Sequence, residues 1–460
     1  MHTRRLSDRF TPLVAPVAAA LAALLALPTG AQDLTVTAPP QSRPVTITNA
    51  TIHTVSGDVL ENASITFNNG VITAINTEPA ARASTNTRVI DAAGKHVYPG
   101  FIAPITELGL FEHGAVLATR DANETGQVSP EVVAATAVNP DTTLIPVARS
   151  NGILAFASLP TSGTVPGRAS VMAAEGWTWK DMAIKEDAGL VVNWPSMRPN
   201  QNWFDTAPKP EQQAKINERL TLIDETFRQA IAYHASKATA SDQPTDIRFE
   251  AMAKVLPLGA EPPKNPVLIN AEELDQITAA VAWAKGLGLR PVIVGGRDAQ
   301  LCTELLRRHD VPVIVGGTHR FPKRADAAYD DAYTLPAKLA AAGVRFCIAS
   351  ADRTGNERNL PYNAAMAAAF GLDHDAAVRA ITLSTAEIYE IEKLGALEPG
   401  YRATLFIADG DALEITTAVT HAFIDGREID LSNKQTELAE KYLEKYRQLG
   451  ILRRDRLLND

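Results

Sequence analysis

The side chains best suited to hold a divalent metal or relay a proton are nine histidines, two cysteines and the acids that follow apolar runs. The histidines are scattered. His2 lies at the start of the chain; His53, His96 and His421 fall in segments with strand patterning; His234, His309 and His374 fall on helical ones; His113 and His319 follow strand ends. None is spaced His-x-His or four apart, the patterns that bring two imidazoles to one metal. Cys302 and Cys347 are too few for a four-thiolate site or a disulfide framework. What remains is carboxylates and cations at strand ends. Asp352, after Ala349-Ser350-Ala351, is the candidate general base, and with Glu107 it is also a candidate metal ligand, both being carboxylates. Glu112 opens a polar run with His113, Arg120, Asp121 and Glu124 that either binds substrate or closes on itself through salt bridges. Gly316-Gly317-Thr318-His319-Arg320 offers backbone N–H groups to an anion, or tight turns only. His319, Arg320 and Arg358 are the cationic candidates for substrate contact. Asp352 is equally readable as the partner of a nearby arginine.

The elements that would position these residues alternate. From residue 266 the rhythm is strand, helix, strand: Pro266–Asn270, a helix Glu272–Gly286, Pro291–Gly296, a helix around Cys302–Arg308, Val311–Gly317, a helix Leu335–Ala342, and Val344–Ser350. Strands apolar on both faces, joined by helices, predict a parallel sheet covered on both sides. Earlier strands are expected at 100–103, 153–158 and 189–193. A (β/α)8 TIM barrel over 99–399 fits this length, with an open doubly wound sheet as the alternative. No G-x-G-x-x-G follows an early strand, which speaks against a dinucleotide fold. An insertion, 177–265, carries Trp177, Trp179, Trp194 and Trp203 and a polar helix near 211–236. Its tryptophans either wall a substrate site or pack a lid onto the barrel. Short alternating strands occupy 45–98 and 400–430, with an Asn69-Gly70 hairpin turn in the first segment. Each piece is too small to bury a face alone, so the two predict one discontinuous β-sandwich domain. Residues 431–460 predict a C-terminal helix, capped at Ser432-x-x-Gln435, with Leu438, Tyr442, Tyr446 and Leu449 as an apolar stripe for the body or another subunit.

Composition narrows the class. The 44 Lys plus Arg against 53 Asp plus Glu give a net charge of −9, which argues against nucleic-acid binding, where a basic face must neutralise phosphate. Arg4, Arg5 and Arg9 precede an Ala/Leu run from Leu13 to Leu27, and Thr29-Gly30-Ala31 offers a cleavage site. Residues 1–31 therefore predict a signal peptide and a secreted or periplasmic protein. The run is short for a bilayer span and is broken by Pro16, and no later segment is apolar enough to span. Removing the +2 of that segment takes the net charge from −9 to −11.

Several blocks, in order, resemble the amidohydrolase superfamily, in its imidazolonepropionase-like branch. They are Val89-Ile90-Asp91-Ala92-Ala93-Gly94-Lys95-His96-Val97-Tyr98-Pro99-Gly100-Phe101-Ile102, Asn359-Leu360-Pro361-Tyr362, Gly395-Ala396-Leu397-Glu398-Pro399-Gly400 and Phe423-Ile424-Asp425-Gly426-Arg427. The resemblance implies a (β/α)8 barrel and hydrolysis of carbon–nitrogen, non-peptide bonds in cyclic amides or peptide-like substrates. It also implies zinc as a possible cofactor. The family's first strand ends in His-x-His; the matching positions here are Ile105 and Glu107. Asn270 stands where another histidine is expected, and the next strand ends in Gly295-Gly296. Asp352 alone matches the acid after the eighth strand. Two expectations follow: a hydrolase with most metal ligands replaced, or a non-catalytic relative that binds a small-molecule or peptide-like ligand, as a homo-oligomer or paired with a related amidohydrolase subunit.

Overall fold

In a computed structural model the described residues are 36–77, 86–200, 207–239, 243–260, 262–324, 326–351 and 353–451. The expected signal peptide, Trp203 and Asp352 lie outside them.

Eight strands form the sheet that carries the mouth: β6 (Phe101–Thr106), β7 (Ile153–Ser158), β8 (Gly167–Ala173), β9 (Ala183–Asn193), β10 (Val267–Ala271), β11 (Pro291–Gly295), β12 (Val313–Val315) and β13 (Phe346–Ile348), hydrogen-bonded in chain order. Their inward side chains make one core: Ala157, Val171, Val191, Leu268, Val292, Val294, Ile314 and Cys347, with Ile105 half-buried at its edge. Ile388 and Tyr389 join it, and the Tyr389 hydroxyl donates to the Pro104 carbonyl at 2.7 Å. A filled interior with residues from every strand is how a small barrel closes. Outside the strands, the helices Leu274–Gly286, Thr303–Arg308, Asp331–Ala341 and Leu360–Ala369 cover the second face, so the continuous apolar strands are buried twice, as a parallel sheet requires.

The barrel departs from a strict eightfold β/α repeat at β8. It runs antiparallel to both neighbours, Ala155 opposite Ala173 and Ala169 opposite Gly189. A Gly-Arg start hides this strand in the sequence. The consequence is functional: β7 and β8 are joined by the loop 159–166 at the mouth itself. β9 is also a barrel strand, so the insertion expected at 177–265 begins only after Asn193. It carries the helix Lys209–Lys237.

Both ends of the chain build the second sheet. Its strands are β1 (Val45–His53), β2 (Val59–Asn68), β3 (Val71–Asn76), β4 (Arg88–Asp91) and β5 (His96–Pro99), with β14 (Leu405–Ala408), β15 (Val419–Ile424) and β16 (Arg427–Glu428). The path runs β16-β15-β14-β5-β1-β2-β3, with β4 also on β1. Three strands lie between β2, which carries Phe67, and β15, which carries Phe423, yet the two rings meet at 5.0 Å, so the sheet curls around a shared core. Asn69 (φ 49°) and Gly70 (φ 78°) make the tight β2–β3 turn, the primed geometry that suits hairpin twist.

Polar groups cluster where this domain meets the barrel. His53 Nε2 and His96 Nδ1 are 2.9 Å apart, and the His53 ring stacks on Tyr98 at 4.1 Å. Burial, then the neighbouring His96, pushes His53 down to about 4. His374, opening the helix His374–Ala380, pairs Nε2 with Asp411 Oδ2 at 2.7 Å; that hydrogen bond lifts His374 to about 9.

The C-terminal helix Lys434–Gln448 is capped by Asn433, whose side chain accepts from the Gln435 and Thr436 amides, rather than by Ser432. Ser432 is held instead by Asp430. No residue of that helix is buried, and Leu438, Tyr442 and Tyr446 are exposed. Among the described residues, no helix is long and apolar enough to cross a membrane.

Candidate functional site

The ends of the parallel strands surround a mouth of two adjoining lobes. The first, about 830 Å³, is lined by Ile105, Thr106, Glu107, Phe111, Glu112, Leu144, Leu159 and residues 353–356. The second, about 670 Å³, is lined by Asn193, Trp194, Arg219, Asn270, Glu272, Gln276 and Gly295. Ile105, Thr161 and Ala351 line both. Each is large enough for a small organic ligand, and the location is where barrels carry their sites.

The floor of the second lobe is an amide network. Asn270, at the end of β10, donates its side-chain amide to Asn193 Oδ1 at the end of β9. Asn193 donates its own amide to the Thr161 and Gly163 carbonyls, both at 2.8 Å. The network pins the loop that the antiparallel β8 brings to the mouth. Gln276 is fully committed as well: it accepts from the Glu272 and Glu273 amides and donates to the Trp194 and Pro195 carbonyls. Gly295, at the end of β11, has φ +95°, and a Cβ there would lie 2.5 Å from Glu272 Oε1. The Glu272 carboxylate fills that space and accepts the Arg297 N–H at 3.2 Å.

The described residues do not supply a zinc donor set. Ile105 has no lone pair, Asn270 is tied to Asn193, Gly295 has no side chain, and no group of three or more His, Cys, Asp or Glu gathers at one point among them. Glu107 lines the first lobe, half-buried.

The other expected site residues separate. Glu112 lines the first lobe, and its carboxylate is held by the Thr142 hydroxyl and by the Thr143 amide and hydroxyl. His319 is exposed and lines neither lobe. The expected anion cradle at 316–320 is filled from within. Asn363 Oδ1 accepts from the Thr318 amide at 2.8 Å and the His319 amide at 3.3 Å, and a Cβ on Gly317 would collide with the Ser350 carbonyl. These glycines serve a tight turn. Arg320 donates Nε to the Gly317 carbonyl at 3.1 Å, and burial lowers its basicity. Arg358 turns away from the mouth and donates to Gln435 of the C-terminal helix. The loop after β6 is closed by hydrogen bonds, the Glu112 amide to the Thr119 carbonyl at 3.0 Å and the Asp121 amide to the Leu110 carbonyl at 2.7 Å.

Arg219 was not singled out in the sequence, where it is one charge on a polar helix. The helix Lys209–Lys237 buries Ile216, Ile223, Phe227, Ala230 and Tyr233, a stripe at helical spacing. Phe227 meets the Trp283 ring edge-on at 4.9 Å, and Trp283 Nε1 donates to Asp224 at 3.2 Å. Arg219 lies on that docked face, three residues after Ile216 and four before Ile223. The signal for it was the stripe. Of the expected tryptophan wall, Trp194 is buried and lines the second lobe, tilted against Trp283 at 5.4 Å, while Trp177 is exposed.

The fold is an eight-stranded barrel sheet, mouth at its strand ends, with an accompanying sheet domain. Residues 271–429 match the amidohydrolase family model. Among solved structures, an amidohydrolase from Thermotoga maritima MSB8 superposes with a TM-score of 0.73 at 23% identity, covering 84% of this chain and 99% of that one. A prolidase solved with N-methylphosphonate-L-proline gives 0.51 at 16%, covering 84% and 99%. Molinate hydrolase gives 0.50 at 14%, covering 85% and 95%. No curated protein matches in sequence. Sequence similarity to the amidohydrolase family thus spans 271–429, and the likeness over the rest of the chain is one of fold.

Proposed function

We propose that this is an exported amidohydrolase-superfamily protein whose barrel mouth receives a cyclic-amide or peptide-like ligand, the substrate class of hydrolases acting on non-peptide carbon–nitrogen bonds, without the zinc-assisted step. The observation that supports this most directly is the Asn270–Asn193 pairing: the strand end expected to carry an imidazole holds an amide committed to another amide. Lowering the pKa of water to about 7 needs a tightly held Lewis acid, and the ends of β6 and β11 offer an isoleucine and a glycine at the matching positions. The prolidase and the amidohydrolase among the structural neighbours support the ligand class as analogy of fold.

A second reading, retained hydrolysis with a carboxylate base, is favoured by one observation: Glu107 lines the first lobe. Asp352 is the other carboxylate of that reading. The exposed apolar face of Lys434–Gln448 supports pairing with another copy or with a related amidohydrolase subunit.

The test is metal analysis of the purified mature protein together with hydrolysis assays on dipeptides and cyclic amides. The expected result is less than stoichiometric zinc and no turnover that a chelator abolishes. Stoichiometric zinc with chelator-sensitive turnover overturns the reading, and metal-free turnover lost in Asp352→Asn or Glu107→Gln transfers the conclusion to the second one.

A further inference from the structure

We infer that the C-terminal helix Lys434–Gln448 lays its apolar stripe on an anionic lipid surface, so that the protein rests on a membrane without spanning it. This lies beyond the reading of the mouth as a ligand site and stands without it.

Every residue from Lys434 to Ile451 is exposed, Leu438, Tyr442, Tyr446 and Leu449 among them. At about 3.6 residues per turn these four fall on one face. Lys434, Lys441 and Lys445 run along one edge of that face. Lys445 Nζ lies 5.6 Å from the centre of the Tyr442 ring and 5.8 Å from that of Tyr446. Glu437, Glu440 and Glu444 fall on the opposite side of the helix, and Glu444 accepts from Arg447 at 3.2 Å and from Gln448 at 3.1 Å. The first turn is tied to the body by Arg358, which donates to Gln435.

The charges select the occupant. Two helices are held together in register by opposite charges beside the apolar seam. Here one edge carries lysines and the other Gln435 and Ala439, so the same helix of a second copy would find no ion pair there. A lipid surface uses the whole pattern. The stripe enters the boundary between headgroups and acyl chains, and tyrosine rings favour that depth. The lysines reach from the edge of the stripe to the phosphates with their stems on apolar surface, while the glutamates stay in water. Lysines gain from such a surface when it is anionic. In a chain of net charge −9 the body is repelled by it, which confines the contact to the helix, and that repulsion is screened beyond about 8 Å at physiological salt. Pairing with another subunit through this face would compete with the lipid for it.

The experiment is co-sedimentation of the mature full chain with vesicles of phosphatidylglycerol and phosphatidylcholine in equal parts, and with vesicles of phosphatidylcholine alone, at low and raised salt. Binding to the anionic vesicles is expected to be about tenfold or more tighter, each lysine near such a surface giving about fivefold, and to weaken as salt rises. The double variant Lys441→Gln/Lys445→Gln is expected to lose most of that preference. Tyr442→Ser/Tyr446→Ser is expected to lose binding to both kinds of vesicle. Urea midpoints should stay unchanged in both variants, because none of the four residues is buried. Equal binding to the two kinds of vesicle, a preference that survives the lysine variant undiminished, or no vesicle binding at all overturns the lipid surface. A dimer in sedimentation velocity that dissolves in the tyrosine variant, with vesicles ignored, overturns it too and gives the face to a second copy.

Discussion

The carboxylate of Glu272 occupies the space into which a side chain on Gly295 would have to grow. The two residues belong to adjacent strand ends: Gly295 closes β11, and Glu272 follows β10. With φ at +95°, position 295 favours glycine through its backbone conformation, and a Cβ there would lie 2.5 Å from Glu272 Oε1, so the end of the Glu272 side chain would have to move.

Placing a histidine at that point should therefore be costly. Gly295→Ala is expected to lower stability by about 1–3 kcal/mol from the strained backbone alone, and Gly295→His by at least as much, with no gain of bound zinc. Urea denaturation and metal analysis of the two variants check this. Tight, stoichiometric zinc in Gly295→His would show that Glu272 yields easily.

The amide network makes a graded prediction. Asn270→Ala removes one donor from Asn193 and should cost about 1 kcal/mol; Asn193→Ala releases two loop carbonyls as well and should cost about 2–3 kcal/mol. Because the side chains share a bond, the double variant should fall short of the sum by about 0.5 kcal/mol or more. Strict additivity, read from urea midpoints, would mean that the pair is uncoupled.

Much of the barrel was legible because its signals are local. Continuous apolar strands alternating with helical stripes need no knowledge of partners, and the Asn69-Gly70 turn announces its geometry. β8 was illegible because Gly167 and Arg168 open it, and its antiparallel direction depends on pairing that no single segment encodes. The site was harder still. Asn270 is visible as an oddity at a strand end, but its role depends on Asn193, 77 residues earlier. The Gly316-Gly317 pair looks like an anion cradle until Asn363, from a distant helix, is seen to fill it. Arg358 reads as a mouth cation and is drawn off by Gln435.

The junction cluster sets a pH dependence with two flanks. His374 is raised to about 9 by Asp411, with Asp375 adding to it. Its contribution is full below the unfolded value near 6.5 and fades as the pH rises through about 9. His53 is lowered to about 4 by burial and by His96, so its neutral form favours folding above 6.5 and that contribution fades as the pH falls toward about 4. From these two groups the stability should peak near pH 6.5. His374→Gln should flatten the alkaline flank and His53→Gln the acid one. Urea midpoints across pH 4 to 9 decide it; an alkaline flank that persists in His374→Gln would assign the effect elsewhere.

The two thiols should be silent in the native state. Cys347 faces the barrel interior beside Ile314 and Tyr389, whereas Cys302 sits in the outer layer between strands and helices. The wall of the barrel separates them, so no rotation of either side chain brings the sulfurs to bonding distance. Burial pushes Cys302 up to about 11 and Cys347 up to about 12, which leaves almost no thiolate, the reactive form, near neutral pH. A thiol-specific chromogenic reagent should therefore label neither residue in the folded protein and both once guanidinium is added, with no disulfide-linked species under oxidising conditions. Fast labelling of one thiol without denaturant would mean that its layer of the barrel opens far more readily than its packing implies.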